Sequence, residues 1–519
     1  MLKSIVKNVL VSGIAYAAVS IIGIVVVTFL IRQYGLAGYG FISLTRIFLP
    51  TAALALFDFG FGEISTQIVA RSRVYNDWNI CGRRLRLIFF ITIIVGVLVG
   101  FMLACSSIWF SHLLDLNESI KPFQQIIWLT SVLMPVFFLS LVFEGIIKGY
   151  ECFYEVRGIE VVTALIYALF VVCVFKLFPS HKTFICYSLL ASQVIRAVIS
   201  AFVSIRLLLK EPILFGRSEA EDFKFVKYNI LLMAQNKALG VAQTQLAPLF
   251  VGFSFGPIGL GTFDALSRLP RAVKSVLGLA SSTILPLATK LDQLEDNTAL
   301  SRIGYVGILG VGLLALPPLA AVIVFCEPLL NLWVGPELAS LSGWQASLFL
   351  VPAFSVILSV GGSALLVRPN VVSAMNRLVF IQIIIHFGIG CFTSVFLRER
   401  AFILGQVVSV ALTFLPQLRL ICGEMNIPSI IYFELIKLAL ILVLMSILTY
   451  FFSPIFTHWS TLLVSMITWV IFAYVLIYFF ALSVFNRLAI KRSIQYFSVY
   501  CKSKWDRFLS QKFQSWNLW

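Results

Sequence analysis

Apolar residues run along the chain in blocks of about 18 to 25, separated by short charged or turn-rich punctuation. A helix of that length matches the thickness of a bilayer core. About fourteen such blocks occur, centred near residues 20, 54, 98, 135, 168, 196, 240, 276, 314, 356, 387, 411, 443 and 471. They are continuous, whereas a lipid-facing barrel strand alternates at every second residue. The pattern therefore predicts an all-α polytopic membrane protein.

Composition agrees. Of 519 residues, 60% are hydrophobic and 12% charged, with a mean hydropathy of +0.99. Apolar stretches that repeat over the whole length exclude a soluble domain with one core. Lys and Arg collect in alternate connections, near 71 to 86, 148 to 157, 206 to 228, 290 to 302, 368 to 377 and 419 to 437, and at both ends. By the positive-inside rule these are cytoplasmic, and they hold about 27 of the 39 basic residues. An even number of spans with both termini inside is expected. The run from Val9 to Ile31 exceeds the roughly 7 to 15 apolar residues of a secretory signal, and reads as an uncleaved first helix.

The nine cysteines are scattered without metal spacing. The net charge of +16 reflects loops beside an anionic leaflet, so anionic membrane lipids are expected partners and nucleic acid is not. The segment from Asn486 to Trp519, basic and interleaved with aromatics, suits an amphipathic helix on that surface.

Two glycine clusters disclose an internal repeat. Gly35, Gly38 and Gly40 recur as Gly256, Gly259 and Gly261, each displaced by 221, and at the same displacement Lys3 meets Lys224 and Asn8 meets Asn229. Six spans separate the matched positions, so both halves enter the membrane in the same direction. A pseudo-twofold axis along the membrane normal follows, with a substrate site between the halves. The expected organisation is a lobe of six helices over 1–221, a second over 222–422, two further spans over 423–485 and a basic tail over 486–519. Prolines at 50, 135, 270, 286, 317, 318, 352 and 416 would bend their helices.

Six basic residues fall inside the apolar blocks: Arg46, Arg196, Lys237, Arg268, Arg271 and Lys274. A cation at membrane depth costs at least a few kcal/mol, and marks a partner or a water-filled path. At about 1.5 Å per residue, Arg46 lies about 8 Å in from the outer face, Arg268 and Arg271 roughly 9 and 14 Å, and Lys274 and Arg196 near the midplane. Asp264, Arg268 and Arg271 share one face of their helix, with Lys274 at its edge. Asp264 and Arg268, four residues apart, could pair, yet one carboxylate cannot neutralise Arg46, Arg268, Arg271 and Lys274 together. A cationic cavity wall is expected, and forked guanidinium groups suit a diphosphate. Asp58, Glu144 and Asp264 are the candidates for coupling to a proton or Na⁺, and equally for structural ion pairs.

Other chemistry finds little support. No Gly-x-x-x-x-Gly-Lys-Ser/Thr loop is present. His112, His181, His386 and His458 lack the spacing of a metal site or of a nucleophile's base. No catalytic residue, metal or other cofactor is expected.

Gly35-Leu-Ala-Gly-Tyr-Gly40, Phe57-Asp58-Phe59-Gly60 and Leu329-Leu-Asn-Leu-Trp-Val-Gly335 resemble the multidrug, oligosaccharidyl-lipid and polysaccharide exporter superfamily. Within it the chain looks like the Wzx-type polysaccharide flippases. The resemblance covers roughly residues 1 to 422. It implies two six-helix bundles around a lateral opening in the inner membrane, moving an undecaprenyl diphosphate-linked O-antigen or capsule unit by alternating access. A polymerase or glycosyltransferase of the same route is an implied partner. The related lipid II flippases carry a charged first helix and multidrug members a carboxylate there; neither occurs here, which counts against the two alternatives, a lipid II flippase and an ion-coupled drug antiporter. A membrane glycosyltransferase would need a larger extramembrane loop than the longest outer one, about 20 residues.

Overall fold

The computed structural model describes residues 2–49, 52–113, 120–178, 181–213, 216, 219–282, 297–365, 369–451 and 458–481. Pro50, Pro286 and the basic tail from Asn486 lie outside these, as do the bends and the surface helix expected of them. Among the described residues regular structure is entirely helical. The order is α1 (Leu2–Ile47), α2 (Phe61–Tyr75), α3 (Trp78–Leu113), α4 (Ile120–Gly149), α5 (Phe153–Leu177), α6 (Lys182–Leu208) and α7 (Ala220–Ser282). It continues with α8 (Asn297–Val324), the short α9 (Cys326–Trp333), α10 (Pro336–Ala339) and α11 (Ser342–Leu348), then α12 (Leu350–Ala364), α13 (Pro369–Leu397), α14 (Arg400–Glu424), α15 (Ile430–Phe451) and α16 (Trp459–Leu476).

Among the described residues twelve helical runs are long and apolar enough to cross a membrane, one of them formed by α11 and α12 together. In two places neighbouring expected spans follow one another without a loop: the first and second meet at a kink within α1, and the seventh and eighth at a kink within α7. Each helix is interrupted by a single glycine in a conformation that a side chain rarely allows: Gly35 at φ 66°, ψ −178° and Gly256 at φ 65°, ψ −165°. These are the repeat-related glycines, so the repeat extends to the backbone.

Beyond the bends, α1 and α7 cross in near-backbone contact. A Cβ on Gly40 would lie 1.7 Å from the Pro257 carbonyl oxygen, and one on Gly261 would lie 2.2 Å from that of Leu36. Leu36 and Pro257 are themselves 221 apart, so the contact is reciprocal.

The second expected span is broken too. Helix α1 ends at Ile47, a 3₁₀ turn covers Ala53–Phe57, and α2 starts at Phe61. Proline has no N–H, so Pro50 cannot serve the Arg46 carbonyl four residues back. That carbonyl accepts instead from the Leu49 N–H at 3.1 Å. Downstream, the Asp58 carboxylate accepts from the N–H groups of Gly60 and Phe61 at 3.2 and 3.1 Å, satisfying donors at the start of α2. Arg46 thus occupies the last turn of a half-helix, where the dipole favours a cation.

One apolar core joins α1 to α6 with the middle of α7, and a second joins α8, α12, α14, α15 and α16. Outward faces carry exposed apolar side chains such as Phe392, Val395 and Phe396, as a lipid-facing surface does.

Candidate functional site: a buried guanidinium cluster

Where α1 and α7 cross, one carboxylate collects three donors. Asp264 is buried, and its Oδ2 accepts hydrogen bonds from the Tyr39 hydroxyl and from Ser43 Oγ, the latter at 3.2 Å. Its Oδ1 pairs with Arg271 Nη2. Arg271 also donates to two carbonyls of its own helix, those of Ser267 at 3.2 Å and Asp264 at 3.3 Å. Asp264 therefore pairs not with Arg268, four residues on, but with Arg271, two turns away. Arg271 is long enough to fold back along α7.

Arg268 points elsewhere. Its guanidinium is only 2.9 Å from where a Cβ on Gly23 would stand, so a glycine in α1 makes room for it. Among the described residues it makes no hydrogen bond or ion pair. Arg46 faces Tyr39, Tyr167 and Asp264, and its Nη1 is buried with no acceptor among the described residues. Arg46, Arg268 and Arg271 all lie within electrostatic reach of Asp264, and Arg268 within reach of the other two. Guanidinium stays protonated in proteins. Three positive charges against one negative leave about two unbalanced charges in a buried region, where Coulomb terms are several times stronger than in water.

The other expected site residues lie apart. Arg196 is not a free cavity charge: its Nε and Nη2 form a fork on Glu144 at 2.6 and 3.0 Å, joining α6 to α4. Glu160 lies 3.8 Å from Arg196 and binds Arg157 at 2.7 Å, while Arg157 covers the Tyr16 ring at 4.2 Å. Lys237 is likewise paired, 3.1 Å from Asp58 and 2.7 Å from Glu63. The three coupling candidates, Asp58, Glu144 and Asp264, are thus each held by a basic partner. Lys274 lines a small cavity one turn beyond Arg271 and has no ion pair or hydrogen bond among the described residues.

Bonds tie the halves together at both ends of the molecule. At one end Asp222 of α7 receives Arg83 and Arg84 of α3, each at 3.0 Å, and Arg83 also reaches Glu219 at 2.6 Å. At the other, Arg32 donates to the Leu332 and Trp333 carbonyls at 3.3 and 3.0 Å, and the Trp333 indole N–H donates to Thr28 Oγ1. The guanidinium cluster is enclosed between them.

Sequence reasoning missed Tyr39, Ser43 and Tyr167. A signal existed for the first two: Tyr39 lies within the Gly-Tyr-Gly motif, and Ser43 is the position 221 residues before Asp264. A large apolar cavity of about 550 Å³ between α8, α12, α14 and α15 is lined by Leu316, Phe354, Phe414 and Leu442 among others.

Comparison with solved structures places this arrangement in a known fold. The lipid II flippase MurJ in an inward closed conformation superposes with a TM-score of 0.69 at 12% identity, over 93% of this chain and 100% of MurJ. An inward-facing multidrug resistance transporter of the MATE family, in the MOP superfamily, gives 0.64 at 12% identity, over 80% and 94% of the two chains. A MOP superfamily transporter from Pyrococcus furiosus, described as having a binding pocket of reverse polarity, gives 0.54 at 15% identity, over 82% and 96%. No curated protein matches the sequence. Residues 5–292, more than half of the chain, match the family described as polysaccharide biosynthesis protein, and the chain belongs to that family.

Proposed function

We propose that the protein is a flippase that turns an undecaprenyl diphosphate-linked oligosaccharide from the cytoplasmic to the periplasmic leaflet of a bacterial inner membrane, supplying O-antigen or capsule synthesis. The observation that carries this reading is the excess of guanidinium over carboxylate around Asp264. A diphosphate brings two or more negative charges and the oxygens that guanidinium forks accept. Asp264 then acts as the resting counter-ion of Arg271, and the arriving head group competes with it. Proton uptake by Asp264 would free Arg271 further, which makes it the coupling carboxylate we favour; Na⁺ is the other candidate ion. A drug antiporter, which handles cations, would be opposed by the same charges.

In this reading the two lobes, 1–221 and 222–422, rock around the cluster with both termini in the cytoplasm. The Asp222 end opens to the cytoplasm and the Trp333 end to the periplasm. The prenyl chain stays in the apolar phase, and the cavity beside α15 is wide enough to take part of it. Anionic lipids would hold the basic tail, and a polymerase or glycosyltransferase would receive or supply the glycan.

The test is Arg268→Gln, and separately Arg46→Gln, in the native host. Loss of surface polysaccharide, accumulation of its lipid-linked unit on the inner leaflet and unchanged protein in the membrane are expected. Normal surface polysaccharide in both variants would overturn the assignment.

A further inference from the structure

Beyond the axial cluster, α7 borders a second polar space. It lies between α7, α11, α12, α13 and α14, and offers about 50 Å³, room for a group of a few non-hydrogen atoms but not for a sugar ring with its hydroxyls. Arg271, Lys274, Ser267, Gln243 and Gln406 line it, along with His386. None of the described lining residues is acidic. Ser267 Oγ is buried and has no hydrogen-bond partner among the described residues. Arg271 uses Nε and Nη2 for its bonds within α7, leaving Nη1 without an acceptor. Lys274 has no counter-ion among the described residues. His386 gives its Nε2 hydrogen to the Phe402 carbonyl at 3.0 Å, and Gln243 donates to Gln382 at 3.2 Å, so these side chains are held in place by second partners.

We propose that this cavity is a binding site for a carboxylate-sized monoanion, with Lys274 as its principal charge and Ser267 and Arg271 Nη1 as its other donors. Arg271 already holds a carboxylate, that of Asp264, on its other side, so the ligand chemistry is one this guanidinium accepts. An unpaired ammonium at membrane depth is costly, and an anion within reach of both Lys274 and Arg271 removes that cost. The size selects a carboxylate over a diphosphate. Such an anion has two sources: a free ion from solution, or the acid group of a sugar in the transported glycan. The second source rests on the flippase reading, and would make the cavity the place where an acidic glycan is distinguished from a neutral one.

The experiment uses the purified full-length protein in detergent, with thermal unfolding followed by tryptophan fluorescence. Acetate, glucuronate and glucose are each titrated at ionic strength held constant with benzenesulfonate, whose ring-borne sulfonate is too bulky for the cavity. Acetate is expected to raise the midpoint by about 3 °C near saturation, glucose not at all, and Lys274→Gln is expected to abolish the acetate shift. A shift with both anions assigns the site to a sugar-borne carboxylate; a shift with acetate alone assigns it to a free ion. Absence of an acetate shift in the unaltered protein, or its persistence in Lys274→Gln, overturns the site. Should Lys274→Gln fail to fold, Ser267→Val must raise the half-saturating acetate concentration by about fivefold, the loss of one hydrogen bond, and no change there overturns the site equally. Pyrophosphate stabilisation, lost in Arg268→Gln, reads the axial cluster separately. Failure of the cavity therefore leaves the flippase reading standing, and failure of that reading leaves an anion site that binds acetate.

Discussion

Ser43 Oγ donates a hydrogen bond to Asp264 Oδ2 at 3.2 Å, and the two residues are the same position counted in halves 221 residues apart. A position can touch its own repeat mate only on the axis relating the halves. Asp264 therefore marks that axis, and chemistry there is not duplicated: one half contributes a hydroxyl where the other contributes a charge.

Replacing Asp264 with asparagine keeps the shape and removes the charge. Arg271 then loses its only ion-pair partner among the described residues, which should cost about 3 kcal/mol. The melting temperature of Asp264→Asn should fall clearly, and Asp264→Asn combined with Arg271→Gln should recover more than half of the loss. Strictly additive losses in the double variant would show that the pair is not energetically coupled.

Neither Gly40 nor Gly261 has room for a methyl group, since the carbonyls of Pro257 and Leu36 already occupy that space. Gly40→Ala and Gly261→Ala must each separate α1 from α7, at about 1 to 3 kcal/mol. Because one displacement accommodates both methyl groups, the double variant should lose less than the sum. Wild-type thermal stability in both single variants would contradict the crossing.

Asp222 is nearly inaccessible and receives two arginines. A double-mutant cycle between Arg84→Gln and Asp222→Asn should return a coupling of about 1 to 3 kcal/mol in favour of the pair. A coupling near zero would mean that this end is held by something other than its charges.

Arg196 and Glu144 form a closed pair away from the axis. Removing one partner should lower protein abundance in the membrane, whereas Glu144→Leu with Arg196→Met should restore much of it, because a packed apolar pair can replace a buried ionic one. Surface polysaccharide should follow abundance in these variants. Loss of polysaccharide at normal abundance in the double variant would give Arg196 a part in transport.

What could be read from the chain alone divides by range. Membrane-spanning helices come from continuous apolar blocks, which are a local property, and the repeat came from glycines whose spacing is written in the sequence. The same glycines join neighbouring spans without a loop, because the backbone at Gly35 and Gly256 kinks sharply within one residue. For Arg46, Arg268 and Arg271 helix rise gives an expected depth but not a direction: Arg271 turns back to Asp264 while Arg268 reaches to Gly23 on another helix, a choice made by tertiary space. Arg196 and Lys237 looked equivalent to these as isolated charges. Their partners, Glu144 and Asp58, lie 52 and 179 residues away in sequence, beyond any periodicity argument.

The glycine crossing lies close to one end of the long helices. Gly261 lies five residues past the bend at Gly256, about 7 Å of rise back along the run of about 51 Å from Asp222 to that bend, which leaves about 45 Å between the crossing and Asp222. A rotation about that contact would act as a balance with unequal arms. The same angle would swing the Asp222 end roughly six times further than the bend, giving a wide mouth on one side and a narrow one on the other. Charge held beside the fulcrum would hardly travel. The insulating layer, rather than the anion, would be what changes sides.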